Sequence, residues 1–367
     1  PTSSDLTMDQ ERALEIFQSG IEFRDGKYWV PLLWKDLQPE LDDNLHRATL
    51  REKGLCNKFN KKGMEEKKRG VLTAVQEFFD KGYAEVIPEQ EIKAVKTDGP
   101  IRYLSMQMVF REDKPLPRPV FDASEVTRDG KSLNNQVLPG PPNINDLVEV
   151  MIRFRSRPIA LVGDIKGMFL AINLKDGKDS HRFVWRELDD TAPLKHCRLK
   201  TVTFGVVDSP FKSIETTKTH ADNKKEEIPI ASEVAKEDFY VDDLMSGCAS
   251  VMAAIELYQE MDALLSSGGF SLVKVLSNSE EVMQAVPEEK RAAMTVRVLD
   301  EQGETNEMDK NHSALGSTWD PKRDKLLFRF AEKFDTPAKY TKRVLVSQGS
   351  KVYDPCGLVS PVTLTAR

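Results

Sequence analysis

The residues best suited to chemistry are two adjacent carboxylates, Asp242 and Asp243, set in Phe239-Tyr240-Val241-Asp242-Asp243-Leu244-Met245. Aromatic and β-branched residues before the pair, and apolar residues after it, predict a tight β-hairpin with the aspartates at its turn. Neighbouring carboxylates repel, so a folded site that holds both needs a cation or hydrogen-bond donors close by. A pair of magnesium ions meets that need, because hard cations take carboxylate oxygens and water. Read alone, the same residues are more simply a solvated turn, where Asp is common.

A third acid, Asp164, closes the apolar run Ile159-Ala160-Leu161-Val162-Gly163. That run predicts a short buried strand with the acid just past its end, where α/β folds tend to place functional groups. A helix N-cap belongs at the same spot, and for a lone Asp the cap is the simpler use. Cations are supplied by an expected hairpin between Ile101 and Asp122, whose turn and flanks carry Arg111, Lys114 and Arg118. They are placed to reach a polyphosphate, or to form an ordinary solvated loop.

Other elements have to position these groups. Residues 9–17 suit a short helix, and Asp25-Gly26 suits a turn into a strand. A helix is expected from Gly70, with Val71, Leu72, Val75, Phe78 and Phe79 on one face and Gly82 as its stop. Asn143 or Asn145 should cap a helix through Ile144, Leu147, Val148, Met151 and Phe154. Residues 181–188 and 197–204 read as paired strands, the second ended by Gly205, and Ser209-Pro210 opens the next helix. Ser250 caps a helix closed by Gly268-Gly269.

Composition narrows the classes. A chain of 367 residues, 40% hydrophobic and 31% charged, predicts two or three packed subdomains, and no apolar run reaches membrane length. Cys56, Cys197, Cys248 and Cys356 form no CxxC pair and the five histidines do not cluster, which argues against zinc and for a reducing compartment. The net charge of −6 argues mildly against a phosphate-binding surface, yet Arg51 to Gly70 holds eight basic residues against three acids. Pro1-Thr2-Ser3-Ser4-Asp5 lacks an initiator Met and a signal-peptide pattern, and the chain stops at Arg367 without an evident domain end, so a fragment or processed product is expected.

The order of the motifs is more specific than any one of them. Arg111-Glu112-Asp113-Lys114-Pro115, Arg118-Pro119-Val120-Phe121-Asp122-Ala123-Ser124, Ser132-Leu133-Asn134 and Leu138-Pro139-Gly140-Pro141 come first. Gly163-Asp164-Ile165-Lys166-Gly167-Met168-Phe169, Phe204-Gly205-Val206 with Ser209-Pro210-Phe211, the Tyr-x-Asp-Asp hairpin and Tyr353-Asp354-Pro355-Cys356-Gly357-Leu358 follow. In this order they resemble the reverse transcriptases of retroelements, and the local wording is most similar to the BEL/Pao family of LTR retrotransposons.

The resemblance implies an α+β right-hand polymerase fold, with an antiparallel palm sheet packed on helices. Fingers would come mainly from 51–160, the palm from 161–268 and a truncated thumb or connection from 269–367, after an extension or polyprotein linker at 1–50. It implies an RNA-directed DNA polymerase in which Asp164, Asp242 and Asp243 are catalytic and hold two Mg2+ ions, with Mn2+ as a substitute. Arg118 would contact the dNTP triphosphate, with Lys114 or Arg111 as the second cation. Phe169 would crowd the sugar 2′ position, and Tyr240 would line the dNTP site. Lys274, Leu315 and Gly316 would meet primer and template. Phe204 stands where retroviral enzymes carry Gln, a departure shared with BEL/Pao relatives. Implied partners are an RNA or DNA template with primer, dNTPs, an upstream protease, and a downstream ribonuclease H and integrase, with no membrane. The implied location is cytoplasmic, in virus-like particles, with nuclear access. A domesticated or degenerate copy that binds nucleic acid without polymerising is the alternative. An unrelated interaction domain would have to produce the ordered motifs by chance.

Overall fold

In the computed structural model the chain forms small β-sheets and packed helices, an α+β architecture. The structure describes residues 6–37, 39–92, 99–111, 114–292, 313–314, 317–327, 341–344, 354, 356–358 and 360–361. Two units emerge: Pro1–Asn143 with Gly167–Thr216, and Ile144–Lys166 with Thr217–Arg367. Among the described residues no helix is long and apolar enough to cross a membrane.

The first unit opens on the helix Met8–Gly20, whose Thr7 and Gln10 form a capping box that satisfies two N-terminal amides. Asp25 and Gly26, both at positive φ, turn the chain between strands Glu22–Arg24 and Lys27–Val30 as expected. The helix expected from Gly70 starts earlier and spans Glu65–Asp80. Glu65 and Glu66 explain the difference, since acids in a first turn face the positive end of the helix dipole. Val71, Val75 and Phe78 are buried along the anticipated stripe.

The basic run is sorted by this packing. Helix Leu45–Phe59 buries Ala48, Glu52, Cys56 and Phe59 on one face, and Glu52 pairs with Arg186 at 2.7 Å. One of the run's three acids is thus turned inward and neutralised, leaving the outward surface more basic than its composition implies. The cationic hairpin forms as expected, Ser105–Val109 antiparallel to Arg118–Asp122. Strands Arg182–Trp185 and Lys195–Leu199 also pair, but the second stops at Leu199 and does not reach Phe204. Beyond it the backbone changes partner: the Leu174 amide donates to Lys200 O and the Val202 amide to Ile172 O. Ser209 begins the helix Ser209–Lys224, but its hydroxyl donates to Thr203 O at 2.7 Å.

In the second unit four antiparallel strands lie in the order Phe239–Tyr240, Asp243–Cys248, Ile159–Ile165, Leu272–Ser277. Ile159–Ile165 continues through Asp164, which therefore sits inside the strand and is not a helix cap. Pairing on both sides, with Asp243 and with Val273, supplies the ladder that carries it that far. Helix Leu147–Arg155 is capped by Asp146, not by either asparagine: the Asp146 carboxylate accepts from Val148 and Glu149 amides at 2.8 and 3.1 Å. Asn145 instead donates to Lys236 O and Phe239 O at 2.9 and 2.8 Å, holding the entry to the aspartate hairpin. Asn143, in the first unit, donates to Phe211 O at 3.1 Å.

Arg153 of the same helix pairs with buried Asp238 at 2.7 Å, one residue before that hairpin's first strand. Gly247 lets the helix approach at backbone distance, since a Cβ there would lie 2.8 Å from Arg153 O. Val150, Phe154, Ala160, Met245, Leu276 and Trp319 form one buried cluster, with Phe154 and Trp319 edge to face at 5.3 Å. Burying a ring such as Phe154 is worth about 1.5–3 kcal/mol. Ser250 caps the helix Val251–Ser267 as expected, and Gly268 follows it.

Candidate active site

Strand period places two of the aspartates. Ala160, Val162 and Asp164 share one face of their strand, and Asp243 and Met245 share a face of the next. The register sets Asp164 directly across from Asp243, with Val162 across from Met245. The face that buries Ala160 and Met245, with Val162 half-buried beside them, therefore carries both carboxylates at its end. Tyr240 pairs with Asp243 across the hairpin, leaving Val241-Asp242 as a two-residue turn. Val241 holds φ +60°, which for a β-branched residue costs about 1–2 kcal/mol. The Asp242 carbonyl accepts from the Ile165 amide at 2.8 Å, tying the turn to the strand of Asp164.

Crowding of like charge is visible at Asp243. Burial first, then Asp242 and Asp164, push its carboxyl up to about 7, while Lys274 pulls it back down. Lys274 comes from the far strand, where Val273 faces Asp164 but the next pairing is Leu276 with Val162. The extra residue is a β-bulge, and within it Lys274 adopts φ +54°. Its ammonium forms an ion pair with Asp164 Oδ2.

The donor set, three carboxylates with oxygen ligands only, is of the kind that suits magnesium. Its placement is less suited: among the described residues no group of three or more His, Cys, Asp and Glu is gathered to hold a metal ion. The Asp164 carboxylate is engaged by Lys274 instead.

The other expected dNTP-site residues lie in the first unit. Gly167 at φ +56° turns the chain out of the Asp164 strand into the short 3-10 turn Met168–Ala171, which presents Phe169. The Phe169 ring packs on Phe204, with centroids 4.8 Å apart and planes tilted by 35°. The Arg118 guanidinium lies over the same Phe204 ring, 4.7 Å from its centroid. Arg118 and Phe169, far apart in sequence, are thus joined through Phe204. Gly205 makes this possible: its φ is +106°, and a Cβ there would lie 2.2 Å from Phe121 O. Asn134 clamps the loop from the other side, donating to Gly205 O and accepting from the Val207 amide, each at 2.9 Å.

Lys114 and Arg111 are exposed on the connection between the hairpin strands. Leu315 and Gly316 lie outside the described residues. Three features were not assigned from sequence: the bridging role of Phe204, the clamp by Asn134, and the meeting of Lys274 with a carboxylate. Phe204 and Asn134 were at least signalled by the motifs that contain them. Lys274 sits in Leu272-Val273-Lys274-Val275-Leu276, which has no Gly or Pro to mark a bulge.

No family model matches the chain, and no curated protein matches it. Among solved structures the chain is similar to a foamy viral protease-reverse transcriptase dRH in complex with double-stranded DNA. The identity is 14% and the TM-score 0.46, over 80% of this chain and 43% of that one. It is also similar to a foamy viral protease-reverse transcriptase in complex with an RNA/DNA hybrid, at 16% identity and TM-score 0.38, over 54% of this chain and 22% of that one. The chain spans less than half the length of either.

Proposed function

We propose that this chain is the polymerase core of a BEL/Pao-type reverse transcriptase, adding dNTPs to a primer 3′-hydroxyl on an RNA or DNA template. The observation that carries the reading is the register that sets Asp164 across from Asp243, with Asp242 on the adjoining turn. Carboxylates this close are costly without a cation, and burial, then Asp242 and Asp164, raises the Asp243 pKa. Asp164, Asp242 and Asp243 would hold two Mg2+ ions, or Mn2+ in their place. When bound, the metal supplies Lewis-acid activation of the primer hydroxyl and neutralises charge on the triphosphate.

The chain's own residues do the rest by positioning. Arg118 offers a planar donor fork to the triphosphate, and stacking on Phe204 holds that fork in one orientation. Phe169, backed by Phe204, would fill the space a ribose 2′-hydroxyl needs. Lys114 or Arg111 would add a second cation, Tyr240 would line the dNTP site, and Lys274, Leu315 and Gly316 would face primer and template.

In this reading 51–160 supplies fingers, 161–268 the palm and 269–367 the thumb or connection of a right hand, with 1–50 as a linker. A protease upstream, and a ribonuclease H and integrase downstream, would complete a polyprotein working in cytoplasmic particles. The test is primer extension on poly(rA)/oligo(dT) with magnesium, beside Asp242→Asn. Extension by the intact chain and its loss in the variant are expected. Binding of primer–template without extension would favour the non-polymerising alternative, and extension surviving Asp242→Asn would sink the mechanism.

A further inference from the structure

Lys274 is held in place at a cost. A lysine at φ +54° sits in a backbone region that L side chains rarely adopt. In a regular strand Val273, paired with Asp164, would share its face, and Lys274 would point to the other. The bulge breaks this alternation, and the Lys274 ammonium pairs with the Asp164 carboxylate. Gly163 is the residue opposite the bulge, and a Cβ there would lie 2.8 Å from Leu272 Cδ1, so the Leu272 side chain packs close over the strand at this point. Lys274 itself stays exposed, with 45% of its side chain open to solvent against 19% for Asp164. It is therefore free to swing away, whereas the carboxylate is fixed in the sheet.

We infer that Lys274 is a built-in counter-cation that occupies Asp164 in the metal-free protein and must leave before a divalent ion is held. The inference rests on the reading of Asp164, Asp242 and Asp243 as metal ligands. It accounts for two facts together: two carboxylates set across from each other by strand register with a third on the adjoining turn, and no ligand set gathered among them. An ammonium near like charges relieves their repulsion in the empty site. The same charge opposes an entering cation, so Lys274 is a positioning residue that lowers metal affinity while stabilising the unloaded sheet.

The experiment titrates the metal-free full chain with Mn2+, following free ion by electron paramagnetic resonance. Wild type, Lys274→Met, Lys274→Gln, Lys274→Arg and Asp242→Asn are compared. Removing the charge in K274M or K274Q should tighten Mn2+ binding by about fivefold, the scale of a partly exposed ion pair. K274R should bind as wild type does. Without metal, K274M should melt at a lower temperature, and Mn2+ should restore more of its stability than it adds to wild type. Equal or weaker Mn2+ binding by both neutral variants overturns the inference and leaves the metal-site reading standing. Binding no better in wild type and K274M than in Asp242→Asn overturns that reading, and the inference with it.

Discussion

Arg118 and Phe169 both pack against the Phe204 ring, and in the proposed reading this makes Phe204 the residue through which triphosphate contact and sugar selection would be coupled. If Phe169 is the sugar gate proposed above, Phe169→Val should raise ribonucleotide incorporation, because the bulk it would set against the 2′ position is lost. Phe204→Ala removes the backing instead of the gate. It should lower discrimination between dTTP and rUTP by about tenfold in kcat/KM, and raise the KM for dTTP as Arg118 loses its platform. Unchanged selectivity in both variants would rule out the gate. Asp242, Asp243 and Arg118 were legible as candidates because carboxylate pairs and basic turns are informative by type and spacing. The Phe204 stack was not, since Phe204 lies beyond the strand that ends at Leu199, in a turn whose course decides its partners.

At the scale of elements, the Gly205 loop decides where the Phe204 ring can lie. Gly205→Ala meets two penalties at once, a backbone at φ +106° and a Cβ 2.2 Å from Phe121 O. Gly130→Ala meets one, since Gly130 has φ +77° and nothing within 4 Å of a Cβ. G130A should cost about 1 kcal/mol, whereas G205A should cost upward of about 2–3 kcal/mol. Thermal denaturation of the two variants side by side measures the difference, and equal losses would remove the close approach as the reason for a glycine. Helices were readable at the level of existence and face, as Val71, Val75 and Phe78 illustrate. Their ends were less so: Asp146 and not its asparagine neighbours makes the cap, because Asn145 is drawn to Lys236 O and Phe239 O, partners distant in sequence. The extension of the Ile159 strand through Asp164 was hidden for the same reason, as both neighbouring strands arrive from downstream segments.

At the scale of the molecule, the two units carry buried groups whose titrations bias stability in opposite directions over one pH range. His181, in the first unit, is fully buried, and burial holds its imidazole down at about 4 against an ordinary 6.5. The Gly177 carbonyl at 3.0 Å opposes that shift, while Lys212 adds to it. A folded pKa below the unfolded one gives stability that is complete above pH 6.5 and is lost as pH falls through about 4, a change of about 3 kcal/mol. Asp243, in the second unit, has the opposite sign: its folded value of about 7 lies above the ordinary 3.8. Its contribution is complete below pH 3.8 and is lost as pH rises through about 7. A whole-chain melting curve sums the two and hides both. Hydrogen exchange in EDTA, corrected for intrinsic rates, separates them by peptide. Amides of 182–185 and 195–199 should gain protection from pH 4 to 6.5, while amides of 159–165 and 243–248 lose it from pH 4 to 7. His181→Gln should weaken the first trend and leave the second unchanged, the remainder of the first belonging to His196, whose pKa burial also lowers; Asp243→Asn should weaken the second alone. Slopes of one sign in both sets, or variants that flatten the wrong set, would show that these two groups do not set the pH response.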